Sequence, residues 1–314
     1  MPGFLSAHQT VHIRQPRRAC LEWLGKGHVG LSFQYGVYSQ LAPDPWVRFH
    51  EGIPGARYDR LTEDFTAKAF DAEALVRFAQ ESGATYVHFP ARLCDGFSLF
   101  RTNETSFTSL SAPAGRDLVG EVTDACHRAS MGLFLEYAYG LDWRHPYFYP
   151  QDSVELDWPY VAAPGDDGSK RRFQQDEDFL EYIKYAHVQL KEILYRYVPL
   201  AGIALSPAMG YYARPYLFPL ETTYQIIHEA QPQVLLSFEQ GANGEEDFVS
   251  LRGGDGADSR GGDVAEQAWS MNKDKPGEQV VRWEAGESEA PVAERNVVRE
   301  IQLGPDGALP VALT

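Results

Sequence analysis

Three carboxylates of this 314-residue chain stand at or just past β-rich runs, where they could do acid–base chemistry together: Asp95 in LCDGF, Glu136 in GLFLEYAYG and Glu239 in QVLLSFEQ. Acid–base catalysis needs two such groups facing one pocket with pKa values pushed apart. Glu136 with Glu239 is the pair that fits best. The plainer alternative makes Glu136 a paired strand residue and Glu239 a solvated loop acid. Cys94, beside Asp95, is either a reactive thiol or a small buried hydrophobe. His88 and His145 have no partner at metal-ligand spacing. GGDGADSRGGD (253–263) has the composition of a calcium loop but lacks its ordered spacing and closing Glu. No metal and no cofactor is expected.

Aromatic side chains crowd the same stretches, among them Tyr35, Trp46, Tyr137, Trp143, Tyr211 and Tyr212. Such rings either stack on the apolar face of a ligand or fill the rim of a large fold. Trp143 and Arg144, in LDWRHPYF, are the leading ligand contacts, because this stretch follows a strand end.

The elements that must position these groups alternate between period-2 and helical patterns, the signature of βα units and a parallel sheet. Strands are expected over His28 to Gly36, Ala84 to Pro90, Gly132 to Gly140, Ala201 to Ser206 and Gln233 to Glu239. Between them lie helical patterns: FDAEALVRFAQESG, with Asp71 as cap and Gly83 as stop; about Arg116 to Ser130; about Phe173 to Tyr197, the longest; and about Glu221 to Ala230. After Gly241 the pattern degrades into Gly, Asp and Ser. Only two weak strand-like runs follow, near Glu278 to Trp283 and Asn296 to Leu303. Seven strands do not close an eight-stranded barrel, so the last third reads as irregular or incomplete.

Composition sets outer limits. Hydrophobic content of 44% and charged content of 23% are those of a globular protein. No apolar run approaches the ~20 residues of a membrane span. A net charge of −16 argues against nucleic acid, whose phosphates most of this surface would repel. The N-terminus lacks the order of a secretory signal, and Cys20, Cys94 and Cys126 are odd in number and far apart. A reduced, cytoplasmic setting is expected.

Several long motifs, in one order, resemble the α-L-fucosidases of glycoside hydrolase family 29. They are FDAEALVRFAQESGATYVHFPARLCDGFSLFRTNETSF, RDLVGEVTDACHRASMGLFLEYAYGLDWRHPYFYP, GIALSPAMGYYARPYLFPLETTY and QPQVLLSFEQGANGEEDF. LGPDGALP resembles the family's late turn. The resemblance is clearest over 30–248; residues 249–314 are irregular, and 1–314 reads as one domain. It implies an α/β fold, a (β/α)8 TIM-like barrel with its site at the C-terminal strand ends. It also implies retaining hydrolysis through an aspartate nucleophile and a separate acid/base. Here the sequence departs from the pattern. The family's nucleophile position holds Ser206, its histidine pair before Asp-Gly is Leu93 and Cys94, and its first-strand His-Trp or His-Tyr is Gln34 and Tyr35.

These departures suggest that ordinary fucoside hydrolysis is lost. Three readings remain open: a sugar-active enzyme with altered residues, a non-catalytic pseudoenzyme that binds a carbohydrate or a protein, and a barrel recruited for lyase or isomerase chemistry on a small molecule. The expected ligand is a carbohydrate or carbohydrate-like small molecule held by Gln34, Tyr35, Trp46, Cys94, Tyr137, Trp143, Arg144, Tyr211 and Tyr212, with Asp95, Glu136 and Glu239 as candidate catalytic groups. No nucleic acid and no membrane are expected as partners, and a homo-oligomer is left open.

Overall fold

The computed structural model describes residues 1–26, 28–149, 172–239, 241–252, 277–282 and 296–310. The Gly-, Asp- and Ser-rich run at 253–263 lies outside the described residues. Two short helices, α1 (Gln9–Arg14) and α2 (Pro16–Leu24), precede β1 (Val29–Gln34). The loop after β1 carries two helical turns, α3 (Val47–His50) and α4 (Gly55–Asp59). Next come α5 (Ala72–Glu81), β2 (Tyr86–Arg92), α6 (Leu118–Ala129), β3 (Gly132–Ala138), α7 (Phe179–Arg196) and β4 (Gly202–Ser206). A short α8 (Met209–Ala213) and then α9 (Leu220–Ala230) lead to β5 (Leu235–Phe238). β6 (Val249–Arg252), β7 (Gly277–Arg282) and β8 (Asn296–Gln302) complete the sheet. Among the described residues no helix follows β5.

Local sequence explains most of these boundaries. Asp71 accepts a hydrogen bond from the Ala74 N–H and caps α5, as its position before the helical pattern predicts. Asp117 does the same for α6 through Gly120. Along α7 the buried residues Tyr182, Ile183, Ala186, Leu190, Ile193 and Leu194 form one stripe at helical spacing. The helix starts later than its sequence pattern suggests, because Asp176–Asp178 forms a single 3-10 turn ahead of it.

The strands lie in the order β5-β4-β3-β2-β1-β8-β7-β6, every registered pair parallel. This is the cyclic order of a (β/α)8 barrel, read from a seam between β5 and β6. The last third is therefore more regular than the sequence suggests. It supplies three strands, and β8 pairs with β1 over Val29↔Val297 to Gln34↔Gln302. Among the described residues it supplies no helix, and β6 is too short to stand out in the sequence.

Two packed layers hold the barrel. Outward side chains such as Leu31, Phe33, Phe89, Leu135, Ile203 and Phe238 join the helices in the larger core. Inward ones at the N-terminal end, Tyr86, Phe134, Leu235 and Val298, with Phe248 just before β6, pack with Leu5, Cys20, Trp23 and Leu24. The N-terminal helices thus plug that end of the barrel. Gly30 and Gly202 make room for the inward rings that meet the plug: a Cβ on Gly30 would sit 2.2 Å from Tyr86, and one on Gly202 2.3 Å from Phe134. The opposite, C-terminal end stays polar.

Asp247 closes the seam. Its backbone N–H donates to the Leu236 carbonyl (2.8 Å), and its carboxylate accepts from the Leu236 N–H (3.0 Å) and from Arg17 Nε of α2 (2.6 Å). One nearly buried acid therefore joins β5, the chain entering β6, and the plug helix. Asp247→Ala should lose about 3 kcal/mol in chemical denaturation, because it leaves a buried N–H and a cation without an acceptor. Arg17→Ala, at a half-exposed position, should lose under about 1 kcal/mol. Equal and small losses would show that the seam is held by other contacts.

Candidate functional site at the C-terminal end of the barrel

Strand alternation decides which candidates face the mouth. On β3, Phe134 points into the plug, so Glu136 and Ala138 also point inward while Leu135 and Tyr137 point out. Register sets Glu136 beside Ala204, and Ala138 beside Ser206, the last residue of β4. Glu136 is 4% exposed and Ser206 7%. The Ser206 hydroxyl donates to Glu136 Oε1 at 2.7 Å. Ser206 therefore has a carboxylate beside it, contributed by the neighbouring strand.

Glu239 follows β5 directly, with φ +46°, a left-handed conformation that a non-glycine residue adopts at some energetic cost. Its Oε2 accepts from the Ala208 N–H at 2.9 Å, which ties it to the loop after β4. There Gly140 and Gly210 bring two backbones together, since a Cβ on either would sit within 1.8 Å of a carbonyl oxygen. These contacts bear on nucleophilic chemistry at Ser206. Pro207 has no N–H, and the N–H of Ala208 is already given to Glu239, so neither residue offers the donors an acyl-transfer oxyanion needs. A serine-hydrolase role does not fit.

Asp95 accepts from Tyr58 Oη (2.8 Å) and from the Phe97 N–H (2.9 Å). Burial pushes its pKa up to about 6, against the pull of those two donors, with Asp142 adding to the rise. Burial, then Asp95, Glu136 and Glu239, holds the Cys94 thiol well above its ordinary value. The cysteine is a neutral thiol ringed by acids rather than a nucleophile. Gln34 points inward and donates to Ser32 (2.9 Å). Tyr38, just beyond β1, is enclosed within electrostatic reach of Asp95 and Glu136.

Several expected ligand contacts are occupied elsewhere. Tyr35 is fully buried against Phe65 and Phe70, with its hydroxyl toward Pro305 O. Tyr137 donates to Gln189 of α7 (2.9 Å). Both lie in the layer between sheet and helices, which corrects their assignment to the pocket. Arg144 reaches Asp59 (3.3 Å) and lies over the Phe107 ring (4.2 Å), so its charge is engaged away from Glu136. Tyr212 donates to Gly241 O (2.6 Å), and Tyr211 packs on Phe218 and Phe238. Tyr212 thus ties α8 to the loop after β5, and Tyr211 packs α8 on the end of β5 itself. Trp46 and Trp143 do come together, 5.3 Å apart, with Phe49 4.1 Å from Trp143.

What holds that aromatic group in place is a pair absent from the sequence reading. Arg92 and Asp142 are fully and almost fully buried and ion-paired at 2.5 Å. A register shift between Pro90 and Arg92 takes the guanidinium out of the strand's alternation and lays it over the Tyr137 ring (4.4 Å). Its other arm donates to Ala138 O. Asp142 then accepts from the N–H groups of Arg144 (2.9 Å) and His145 (2.8 Å), and the Trp143 N–H donates to Cys94 O (2.9 Å). An arginine inside the apolar run YVHFPARL was the available signal, since a buried guanidinium demands a buried acid. No group of three or more His, Cys, Asp or Glu is placed to hold a metal among the described residues.

This geometry can be set beside known proteins. A family model described as alpha-L-fucosidase matches residues 8–238. The chain belongs to the α-L-fucosidase family. Among relatives, an α-L-fucosidase of Dictyostelium discoideum is 29% identical over 105 residues, 32% of this chain and 22% of that protein. The tissue α-L-fucosidase of Rattus norvegicus is 27% identical over 143 residues, 40% of this chain and 31% of that protein. The matched stretch is thus well under half of either relative's length. Among solved structures, α-L-fucosidase AlfC from Lactobacillus casei, in complex with α-L-fucose product, superposes with a TM-score of 0.73 at 21% identity, covering 94% of this chain and 95% of that one. The fold of this α-L-fucosidase family member is that of a fucosidase barrel.

Two outcomes follow from the site. Ser206→Asp, which restores the family's residue, should set two carboxylates in contact and lower the melting temperature, while Ser206→Asp combined with Glu136→Gln should recover most of the loss. A stable single variant would contradict the Ser206–Glu136 contact. Asp95 has a folded pKa above its ordinary 3.8, so it stabilises the protein at low pH, and that contribution falls away as pH rises through about 6. Comparing wild type with Asp95→Asn between about pH 4 and pH 7 should reveal a difference of roughly 3 kcal/mol. Parallel stability curves would refute it.

Proposed function

We propose that this chain is a carbohydrate-active protein that takes a fucose-like sugar at the C-terminal mouth of its barrel, and that an aspartyl ester on β4 plays no part in its chemistry. One observation carries the reading: the nucleophile position is a serine whose hydroxyl is donated to Glu136 at 2.7 Å. Family membership and the fucosidase-type barrel support the sugar class. The mouth keeps groups suited to a polyol. Glu136, Glu239 and Gln34 accept or donate directional hydrogen bonds, and Trp143 offers an indole N–H that has no partner among the described residues. Leu93 and Cys94 replace two histidine donors, so specificity for hydroxyl positions differs from that of the family pattern.

Cytoplasmic residence belongs to the same proposal and rests on three free thiols, Cys20, Cys94 and Cys126. Loss of turnover altogether, a pseudoenzyme, is one of the outcomes that the tests distinguish.

Calorimetric titration of the folded protein with L-fucose should give saturable binding, and Trp143→Ala should weaken it about tenfold, roughly 1.4 kcal/mol. Absence of binding to fucose would sink the sugar reading.

A further inference from the structure

We propose that Glu136 supplies the nucleophilic carboxylate of this barrel, moved one strand over from β4 to β3, with Glu239 as its acid/base partner. The inference rests on the sugar-binding reading above and deepens it.

An aspartate at 206 would place its Cγ where Ser206 has Oγ, and its carboxylate oxygens one bond length beyond. Glu136 Oε1 lies 2.7 Å from that point, reached from the next strand. The residue has changed, yet a carboxylate from the next strand stands within hydrogen-bond reach of the same point. Glycoside cleavage passes through an oxocarbenium-like state, which needs negative charge beside the anomeric carbon and is indifferent to which strand provides it. The serine then has a role of its own. By donating to one carboxylate oxygen it fixes the plane of the other, as an oriented nucleophile requires.

Glu239 is the second acid of the same mouth. Its backbone is held in a left-handed conformation rarely adopted by glutamate, and the Ala208 N–H anchors one oxygen. Such strain persists where surrounding structure imposes it, commonly at functional sites. Ser206, bonded to Glu136, and Ala208, bonded to Glu239, are two residues apart at the end of β4, which ties both glutamates to the same strand end.

The chemistry balances. A Glu136 oxygen attacks the anomeric carbon as the bond from that carbon to the glycosidic oxygen breaks, and the leaving oxygen takes the proton of Glu239. Water then attacks the anomeric carbon of the glycosyl ester. The bond to Glu136 breaks with return of its carboxylate, and Glu239 takes the water's proton. The sum is glycoside plus water giving sugar plus alcohol, with retained configuration.

The test uses 2-deoxy-2-fluoro-α-L-fucosyl fluoride, whose fluoride leaves without a proton and whose ring fluorine slows the second step. Wild type should gain one fluorofucosyl mass on the peptide that contains Glu136. Glu136→Gln, checked for an unchanged melting temperature, should lose turnover of an aryl α-L-fucoside about a thousandfold. Glu136→Ala in azide should regain turnover and release a fucosyl azide of inverted configuration, which a merely structural Glu136 would not do. An adduct on another peptide, a folded Glu136→Gln with normal turnover, or a wild type that binds fucose but forms neither adduct nor product would each overturn the proposal. Failure to bind fucose at all would instead remove the sugar-binding reading beneath it.

Discussion

Glu136 is an acid on a central strand, facing the inside of a parallel barrel, where an unpaired charge would cost several kcal/mol to desolvate. One partner is the hydroxyl of Ser206, one strand away. That bond constrains much of the C-terminal end. It leaves no room for a second carboxylate on β4, and it brings the acid close enough to help keep Cys94 a thiol. It makes Ser206 and Glu136 one hydrogen-bonded unit across β3 and β4.

A second buried pair shapes the rest of the mouth. Arg92 and Asp142 lie beneath the loop after β3, and the pair fixes that loop through the backbone N–H groups of Arg144 and His145. Trp143 is thereby fixed beside Cys94 O and packed against Trp46 and Phe49. Neither Arg92 nor Asp142 offers its charge to the mouth, yet removing either would leave its partner buried and unpaired, at a cost of about 3–5 kcal/mol. At the opposite end the same need for pairing recurs in Asp247, which joins the seam strands and the plug helix.

The strands β1 to β5 and their helices were legible in the sequence because period-2 and helical patterns alternate cleanly there. The barrel's closure was not legible. β6 spans four residues, Val249–Arg252, too few to set up a clear period-2 pattern. β7 and β8 find their partners only through parallel pairing across long sequence separations. In the site, the carboxylates were visible by type and by their place at strand ends. Tyr35 and Tyr137 were misplaced for a simple reason: each follows an inward residue, Gln34 or Glu136, and the pleat lets only one of two neighbours face the mouth. Arg144 was misplaced because its partner, Asp59, lies in a loop whose path no local pattern specifies. The Ser206–Glu136 contact itself depends on register between β3 and β4, which the sequence of either strand alone does not contain.

The most direct measurement is an experimental structure of the protein with a fucose-configured iminocyclitol, whose ring nitrogen mimics the charge that develops at the anomeric centre. The account predicts that nitrogen within hydrogen-bond distance of a Glu136 carboxylate oxygen, with Ser206 still donating to the other oxygen and Glu239 facing the ring. An inhibitor whose nitrogen lies away from Glu136, or a pocket in which Ser206 has turned from Glu136 toward the sugar, would contradict it.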